Sequence, residues 1–442
     1  MSPARTPLLA LAHRDFRRLL GAYLVSGTGS QMQSVAIHWH VYLLTRSPLA
    51  LGLVGLTRVL PIVLFSLWGG VLADRVDRRK LMLFTQSFMA AAAGLLAILT
   101  FSGGESLWVL YALTASASGA AAFDAPARQA LIPRLVPDRD LPGALSINLS
   151  VFQVGLIAGP ALAGWIIAGH AMTPGRAGVP AGAVSTGGLA WIYLVNAASF
   201  LAVLFALATM RASGRPLARA AGPAAHPIAD LKEGIRFVFQ TPLIVWTMAV
   251  DFFATFFAGA MSLLPIFADL VLRVGAAGYG FLVSAPAVGA LAASLYLSVR
   301  PLPVRQGRVF LWAVAGYGLA TIVFGFSRHF PLTLAALAAI GAADAVSTVI
   351  RQTLRQFVTP DALRGRMTSV NMIFFMGGPQ LGELEAGLVA SLFASAAVGV
   401  TVAVVSGGVA TLVVAAGVAL LAPALRAYRF EDGRSGDGAK NH

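Results

Sequence analysis

Residues 128–164 read RQALIPRLVPDRDLPGALSINLSVFQVGLIAGPALAG, and residues 351–387 read RQTLRQFVTPDALRGRMTSVNMIFFMGGPQLGELEAG. The two stretches lie 223 residues apart, about half of the 442-residue chain, and twelve of their 37 positions are identical. The identities include charged residues beside the connecting loops, such as Arg128 and its counterpart Arg351. A chance match between two apolar segments does not explain these, so the pattern predicts an internal repeat.

Apolar runs of about 20 residues recur outward from the repeat along almost the whole chain, which is typical of membrane-spanning helices. The composition agrees, because 57% of the residues are hydrophobic and 11% are charged, whereas a soluble domain has about 25% charged residues. We place the runs at 18–44, 48–73, 80–102, 107–132, 144–169, 188–210, 242–268, 276–299, 308–327, 331–356, 367–394 and 400–424.

The distribution of charge predicts the orientation of these spans. Of the 32 Lys and Arg residues, 27 fall in the termini, in the loops of one side or at the ends of the spans that adjoin these loops; four fall in the opposite loops, and Arg58 lies deep inside a span. Positive residues accumulate in the cytoplasm, so both termini are expected there. Topology thus accounts for the net charge of +14, and we expect no nucleic-acid partner.

The predicted fold class is an all-α integral membrane protein with 12 transmembrane helices in two parallel six-helix repeats. The N-terminal half is 1–210, the cytoplasmic linker is 211–241, and the C-terminal half with its short cytoplasmic tail is 242–442. Parallel repeats of this kind place a substrate site near the middle of the membrane and permit alternating access.

Several kinds of chemistry are excluded or left without support. The chain has no cysteine, so disulfides, thiolate metal sites and Cys nucleophiles are excluded. It has no phosphate-binding loop and no HExxH motif, and its seven histidines are scattered. We therefore expect no cofactor, no bound metal and no enzymatic activity.

The loop after the second run reads GGVLADRVDRRK over residues 69–80. It resembles the signature loop of the major facilitator superfamily, a glycine, three residues, Asp-Arg and then Gly-Arg-Arg, with Asp77 in place of the second glycine. The resemblance implies a latch between the halves on the cytoplasmic side, and the alternative is a solvated turn that only sets topology. The residues given this gating role are Gly70, Asp74, Arg75, Arg78 and Arg79.

The fifth run contains a stripe of small residues that is similar to the antiporter motif of exporters in this superfamily. The stripe allows close helix approach, and its proline bends the helix; packing without directional meaning is the alternative. The helix-packing residues are Gly155, Gly159, Pro160 and Gly164.

Two further segments add to the resemblance. They are the part of the central linker at 226–237 and the sequence LRGRM at 363–367, at the start of the eleventh run. With them, the chain resembles the enterobactin-exporter-like branch of efflux permeases. It departs from the exporters' fourth-span motif at Ala115, where the motif has an arginine.

Ionisable residues inside spans are costly and therefore candidates for function. A carboxylate in low-dielectric surroundings can exchange protons near neutral pH. The candidates are Asp251, Asp344, Glu383 and Glu385. The two glutamates point about 200° apart on one helix and cannot face the same cavity. We favour Glu383, which replaces the proline of the repeat, over a simple salt bridge at that position.

The basic residues inside spans have two readings each. Arg58 either binds an anionic group of the substrate or pairs with an acid on a neighbouring helix. Asp124 and Arg128 are four residues apart and are expected to pair along one face as a structural or gating pair. Arg351, the repeat counterpart of Arg128, and Arg355 one turn further are expected to gate the cytoplasmic mouth; contact with the substrate is the alternative.

Polar side chains inside spans are candidate linings of a substrate cavity, and hydrogen bonds between packed helices explain them equally well. These residues are Gln31, Gln33, Asn148, Gln153 and Asn371. His38 and His40 near the outer end of the first span are read as capping or interfacial residues.

The pattern and the resemblance together predict a secondary transporter of the bacterial inner membrane, a proton-coupled exporter of a small amphipathic molecule. A siderophore or a drug-like compound would fit. The expected partners are the small-molecule substrate, protons and the lipid bilayer, and we expect a monomer. The alternatives are an importer or uniporter of a small solute, and a transport-inactive membrane sensor or assembly partner.

Overall fold

The protein is all-helical over the part of the chain that the structure describes. The structure is a computed structural model that describes residues 7–171, 186–212, 214, 227–257, 259–300, 304–360 and 363–429. Its first six helices are α1 Arg14–Thr45, α2 Pro48–Arg75, α3 Arg78–Ser102, α4 Leu107–Leu131, α5 Leu141–Ala171 and α6 Gly187–Ala208. The remaining helices are α7 Pro227–Gln240, α8 Pro242–Phe257, α9 Leu264–Ile266, α10 Gly275–Val299, α11 Gln306–Phe326, α12 Phe330–Val358, α13 Arg364–Ser391, α14 Ala396–Leu421 and α15 Pro423–Ala427.

Nine helical segments in the described ranges are long and apolar enough to cross a membrane. The three long helices outside this set are α1, α4 and α13. Each of the three carries polar or ionisable residues in its interior, for example Gln33 in α1, Asp124 in α4 and Glu383 in α13. A helix that turns a polar face toward neighbouring helices has a lower overall hydropathy than one that faces lipid. Twelve crossings therefore remain a prediction.

The seventh apolar run is an interrupted helix. The α8 segment ends at Phe257 and is followed by a 3-10 turn at Gly259–Leu263, the short α9, and a π-helical turn at Phe267–Val271. Gly259 lies where any Cβ would collide with the backbone of Gly382 in α13. A close approach of two backbones requires glycine, so position 259 has no room for a side chain.

The helices group into two compact units. The first contains residues up to 46, residues 57–223 and residues 275–284; the second contains 47–56, 224–274 and 285 onward. The core of the first unit contains buried Phe16, Met82 and Leu207. The core of the second unit contains buried Phe310 and Leu354.

The start of α3 explains why Asp77 replaces a glycine of the signature loop. Asp77 is the N-cap residue of α3, and its Oδ1 accepts hydrogen bonds from the backbone N–H groups of Arg79 at 2.9 Å and Lys80 at 3.4 Å. The first backbone N–H groups of a helix have no partner within the helix, and an aspartate at the cap supplies one. The departure from the signature therefore has a structural reason.

We predict that Asp77→Ala lowers the free energy of unfolding by about 1 kcal/mol, because two backbone donors lose their acceptor. Asp77→Asn retains the acceptor and should remain within a few tenths of a kcal/mol of the wild type. Unfolding titrations with SDS in mixed micelles measure both. Equal losses for the two variants would show that the charge, and not the cap, matters at this position.

Candidate functional site: an ion-pair network in the second unit

One face of α12 carries a row of polar residues in the second unit. Asp344, Thr348, Arg351 and Arg355 are spaced by four, three and four residues, a spacing that places all of them on the same side of an α-helix. The row lies in a span, where isolated charges are strongly disfavoured. Its members must therefore find partners on one another or on neighbouring helices.

The central interaction is an ion pair between Arg351 and Asp251. The guanidinium of Arg351 donates from Nη1 to Oδ1 of Asp251 on α8, and from Nη2 to Oγ1 of Thr348 at 2.7 Å. Both charged side chains are almost completely buried. A buried ion pair is tolerated only when it is well paired and hydrogen-bonded, and this pair fixes α8 against α12.

Asp344 is the second carboxylate within reach of the same arginine. Its Oδ1 lies 3.8 Å from Nη2 of Arg351, and its side chain is 49% exposed. It lines a small cavity with Asp251, Arg351, Tyr317 and hydrophobic residues, and this cavity has room for about one water molecule. Arg351 thus has one carboxylate partner buried beside it and a second, more distant one whose side chain is half-exposed.

Arg355 extends the network by one further turn of α12. Its Nε donates to the carbonyl oxygen of Arg351 at 3.3 Å, and its Nη1 donates to Oδ1 of Asn371 on α13. Asn371, a candidate substrate ligand, is therefore a hydrogen-bond acceptor for Arg355. Its repeat counterpart Asn148 has no such arginine, because Ile132 stands at the position equivalent to Arg355.

The two glutamates of α13 lie in different surroundings. The carboxylate of Glu383 packs against α2: a Cβ at Gly55 would lie 2.8 Å from both Cβ and Oε2 of Glu383. Glycine is therefore required at position 55 to leave room for this side chain. Glu385 is half-buried, and no hydrogen bond of its carboxylate occurs among the described residues. Their roles as proton carriers stay predictions.

In the first unit, Asp124 and Arg128 bind different partners. Asp124 accepts hydrogen bonds at 3.0 Å from Thr85 and from Gln86, both on α3. The guanidinium of Arg128 lies over the ring of Tyr23 in α1, with Cζ 4.9 Å from the ring centroid. The described contacts contain no direct hydrogen bond between Asp124 and Arg128, but the two charges interact electrostatically. Their role as a structural or gating pair stays a prediction, and each side chain also contacts a neighbouring helix.

The other candidate ligands in the first unit are partly engaged with neighbouring helices. Arg58 donates to Oγ of Ser34 at 2.9 Å, and Gln33 accepts from Nδ2 of Asn196 at 2.7 Å. The Cβ of Gln31 packs against Gly159. These contacts join α1 to α2, α6 and α5.

Asn148 and Gln153, the other candidates on α5, make no side-chain hydrogen bond in the part of the chain that is described. Both are half-buried. They remain candidates for contact with substrate.

The arginines of the signature loop bind helix ends inside the first unit. Arg79 donates to the carbonyl oxygens of Ala208 at 2.7 Å and Met210 at 3.0 Å, at the end of α6. Arg78 donates to the carbonyl oxygen of Ala130 at 3.1 Å, near the end of α4. Cations are favourable at helix C-termini. The side chains of Asp74 and Arg75, and the surroundings of Gly70, lie outside the described part.

The small-residue stripe of α5 serves close packing. A Cβ at Gly159 would lie 2.9 Å from the carbonyl oxygen of Thr28 in α1, and a Cβ at Gly164 would lie 2.7 Å from Cα of Gly280. Gly155 is also next to α1, and Pro160 lies inside the helix. These contacts agree with the packing function of the stripe, and its directional meaning stays a prediction.

His40 belongs to a buried cluster of polar side chains near the C-terminal end of α1. Its Nδ1 is hydrogen-bonded to Oη of Tyr193 at 3.1 Å, and its Nε2 lies 3.9 Å from Oε1 of Glu105. His38 Nδ1 is 2.9 Å from the carbonyl oxygen of Ser34. Both histidines are buried inside the protein, and their reading as capping or interfacial residues stays a prediction. The described residues contain no cluster of His, Asp and Glu that could hold a metal ion.

The family of the chain follows from its sequence. The sequence model of the family described as Transmembrane secretion effector matches residues 5–437. The chain belongs to this family, a branch of the major facilitator superfamily.

Curated relatives agree with this family. The enterobactin exporter EntS of Escherichia coli O1:K1 is 28% identical over 363 residues, which are 82% of this chain and 82% of the relative. The EntS of Escherichia coli O139:H28 gives the same identity and coverage.

Solved structures show the same fold. A bacterial homologue of the human lysosomal transporter Spinster, inward-facing and occupied, aligns with a TM-score of 0.73 at 14% identity, covering 96% of this chain and 98% of that chain. A D-xylose–proton symporter aligns with a TM-score of 0.69 at 13% identity, covering 92% and 96%. The protein is thus a multi-pass transporter of the bacterial inner membrane and not an enzyme.

Sequence reasoning missed several members of these networks. The pairing of Asp344 with Arg351 could have been found from their spacing of seven residues, two helical turns. Thr85 and Gln86 form a polar pair inside an apolar run, which is a weak signal for a buried acceptor. The pairing of Asp251 with Arg351 joins residues 100 positions apart, and no local pattern predicts it.

We predict unequal costs for breaking the network. Arg351→Gln leaves two carboxylates without their cation and should lower the free energy of unfolding by about 3–5 kcal/mol, the range for breaking a buried pair. Asp251→Asn should cost less, because Arg351 keeps Asp344 as a neighbour. Unfolding titrations in mixed micelles give both values.

The control is the triple variant that removes all three charges together. Asp251→Asn with Asp344→Asn and Arg351→Gln should be less destabilised than the sum of the single variants, since no uncompensated charge remains. Additive losses would mean that the three side chains do not act as one network.

Proposed function

We propose that the protein is a proton-coupled exporter of a small amphipathic molecule, siderophore-like or drug-like, that works by alternating access. In this proposal it has twelve spans in two six-helix halves, with both termini in the cytoplasm. The observation that carries the proposal is the network of Asp251, Arg351 and Asp344 inside the second unit.

Proton coupling is supported by the accessibility of one carboxylate in this network. Asp344 is half-exposed and lines the cavity, and in our proposal the proton reaches it there, whereas Asp251 is buried in the ion pair. A proton on Asp344 removes one of the two negative charges that hold Arg351. The position of Arg351, and with it the contact of α12 with α8, then depends on the proton.

This cavity is a proton site and not a substrate site in our proposal. Room for about one water molecule excludes a molecule of siderophore or drug size. Asn148, Gln153, Gln31 and Arg58 remain the candidate ligands for the substrate, and Glu383 is the alternative proton carrier.

Export is the proposed direction because of the relatives. The matching family is described as a secretion effector, and the curated relatives are named enterobactin exporters. An importer or uniporter uses the same fold, and finding uptake that follows the proton gradient inward would favour it. A transport-inactive sensor would keep its phenotype when the acids of the network are neutralised.

The proposal predicts substrate-dependent collapse of a proton gradient. Everted vesicles are energised to an acid interior with a pH-reporting dye, and a panel of siderophores and amphipathic drugs is added. An exporter that exchanges protons for substrate dissipates the gradient. Asp344→Asn should reduce the response at least about tenfold, while substrate binding by the purified variant, followed by tryptophan fluorescence, is retained.

Two further variants make the result specific. Glu233→Gln removes a carboxylate from α7, outside the predicted spans, and should respond as the wild type does. Glu383→Gln tests the alternative carrier: loss with this variant and not with Asp344→Asn would move the proton site to α13. Transport without any proton movement would contradict coupling itself.

A further inference from the structure

Five arginines lie at one rim of the second unit. Arg300 follows the end of α10, Arg305 and Arg308 flank the first turn of α11, and Arg426 and Arg429 lie in and after α15. All five side chains are exposed. We call this group the arginine rim.

Backbone contacts bring the parts of the arginine rim together. The N–H of Gly307 donates to the carbonyl oxygen of Tyr428 at 3.2 Å. Gly307 packs so closely on the carbonyl of Leu425 that a Cβ would not fit. Leu425 and Tyr428 belong to the same buried core cluster as Phe310 of α11. The short α15 is therefore fixed beside the start of α11, on the side where positive charge predicts the cytoplasm.

Arg300, Arg305 and Arg308 have no acidic residue near them along the chain. The sequence contains no Asp or Glu between Asp269 and Asp344. Among the described residues, the guanidinium groups of Arg300, Arg305 and Arg308 make no ion pair or hydrogen bond. Three exposed guanidinium groups within nine residues are thus left for an external anion.

Exposed aromatic and aliphatic side chains lie within one helical turn of these arginines. On α10, Tyr296 is 62% and Val299 is 77% exposed, and on α11, Trp312 is 76% exposed. Tyrosine and tryptophan prefer the level of the lipid headgroups. Their position beside the arginines indicates a surface that touches acyl chains and headgroups at the same time.

We propose that the arginine rim binds the headgroup of an anionic phospholipid in the cytoplasmic leaflet, with Trp312 and Tyr296 against its glycerol and upper acyl chain. Guanidinium groups bind phosphate oxygens in pairs with a planar geometry that lysine lacks. Clusters of basic residues directly outside a span favour anionic lipids. This site goes beyond the proposed transport activity and does not depend on it.

The test uses the fluorescence of Trp312. The full chain is reconstituted in phosphatidylcholine vesicles that contain a small fraction of lipid brominated on the upper acyl chain, either phosphatidylglycerol or phosphatidylcholine. The quenching of Trp312 is obtained as the difference between the fluorescence quenching of the wild type and that of Trp312→Phe. Brominated phosphatidylglycerol should be enriched at Trp312 by at least about fivefold over brominated phosphatidylcholine, the effect expected of one arginine.

Two variants with the same change in charge distinguish a lipid site at the arginine rim from general electrostatic attraction of anionic lipid. Arg300→Gln, Arg305→Gln and Arg308→Gln together should abolish the preference. Arg14→Gln, Arg211→Gln and Arg236→Gln together remove the same charge from exposed positions on the same predicted side and should keep it. Equal loss in both variants, or equal quenching by the two lipids in the wild type, overturns the proposal.

The proposal can still be tested if the triple variant does not fold, with the wild-type protein and a single variant. Raising the salt from 0.05 M to 0.5 M should reduce the wild-type preference severalfold, and Arg308→Gln alone should weaken it. Free glycerol 1-phosphate at 10 mM should leave quenching unchanged; displacement of the lipid would assign the rim to a soluble phosphate and contradict a lipid site. A preference that persists at high salt also contradicts it.

Discussion

An ionised side chain in the hydrocarbon region is unfavourable by several kcal/mol unless another group of the protein pairs with it, and this constraint determines much of the second unit. Arg351 meets it through Asp251 on α8, Thr348 on its own helix and Asp344 two turns before it. Because the partners lie on two helices, satisfying the charge also fixes how α8 and α12 pack. A purely apolar face would allow several packings with similar energy. The packing in the structure is one in which the buried ion pair is formed, and a buried ion pair is by itself weak evidence for a gain in stability.

The two halves of the repeat satisfy the same constraint differently. Arg128 and Arg351 are equivalent positions, and each reaches the first helix of its half, where Arg128 covers the ring of Tyr23 and Arg351 binds Asp251. The position equivalent to Asp251 in the first half is Thr28, and the position equivalent to Asp344 is Ala121. The first half thus has one intramembrane carboxylate at this level, Asp124, which is held by two neutral donors. An arginine with two carboxylates occurs in the second half, and this asymmetry is the reason why the proposed proton site lies there.

The sequence predicted the helical fold and the family, because these depend on local apolar runs and on motifs that keep their spacing. It also identified Asp251, Asp344 and Arg351 as costly residues inside spans. It did not pair Asp251 with Arg351, since a contact across 100 residues depends on packing. It placed Asp124 near Arg128 because both lie on one face of α4, but it did not predict the contacts that these side chains make with α3 and α1. The departure at Asp77 looked like a loss of a glycine, and the structure explains it as a helix cap.

The small size of the cavity at Asp344 limits how a proton and a substrate can influence each other. Direct competition for one site requires room for both, and this cavity holds about one water molecule. In the proposed mechanism, coupling therefore passes through the position of helices, which requires an element with two arrangements. We propose Arg351 as this element, because it has two carboxylates within reach. Arg355 connects the same helix face to Asn371 of α13, the helix that also carries Glu383. In this proposal a proton on Asp344 acts on α8 and on α13 without any contact with the substrate.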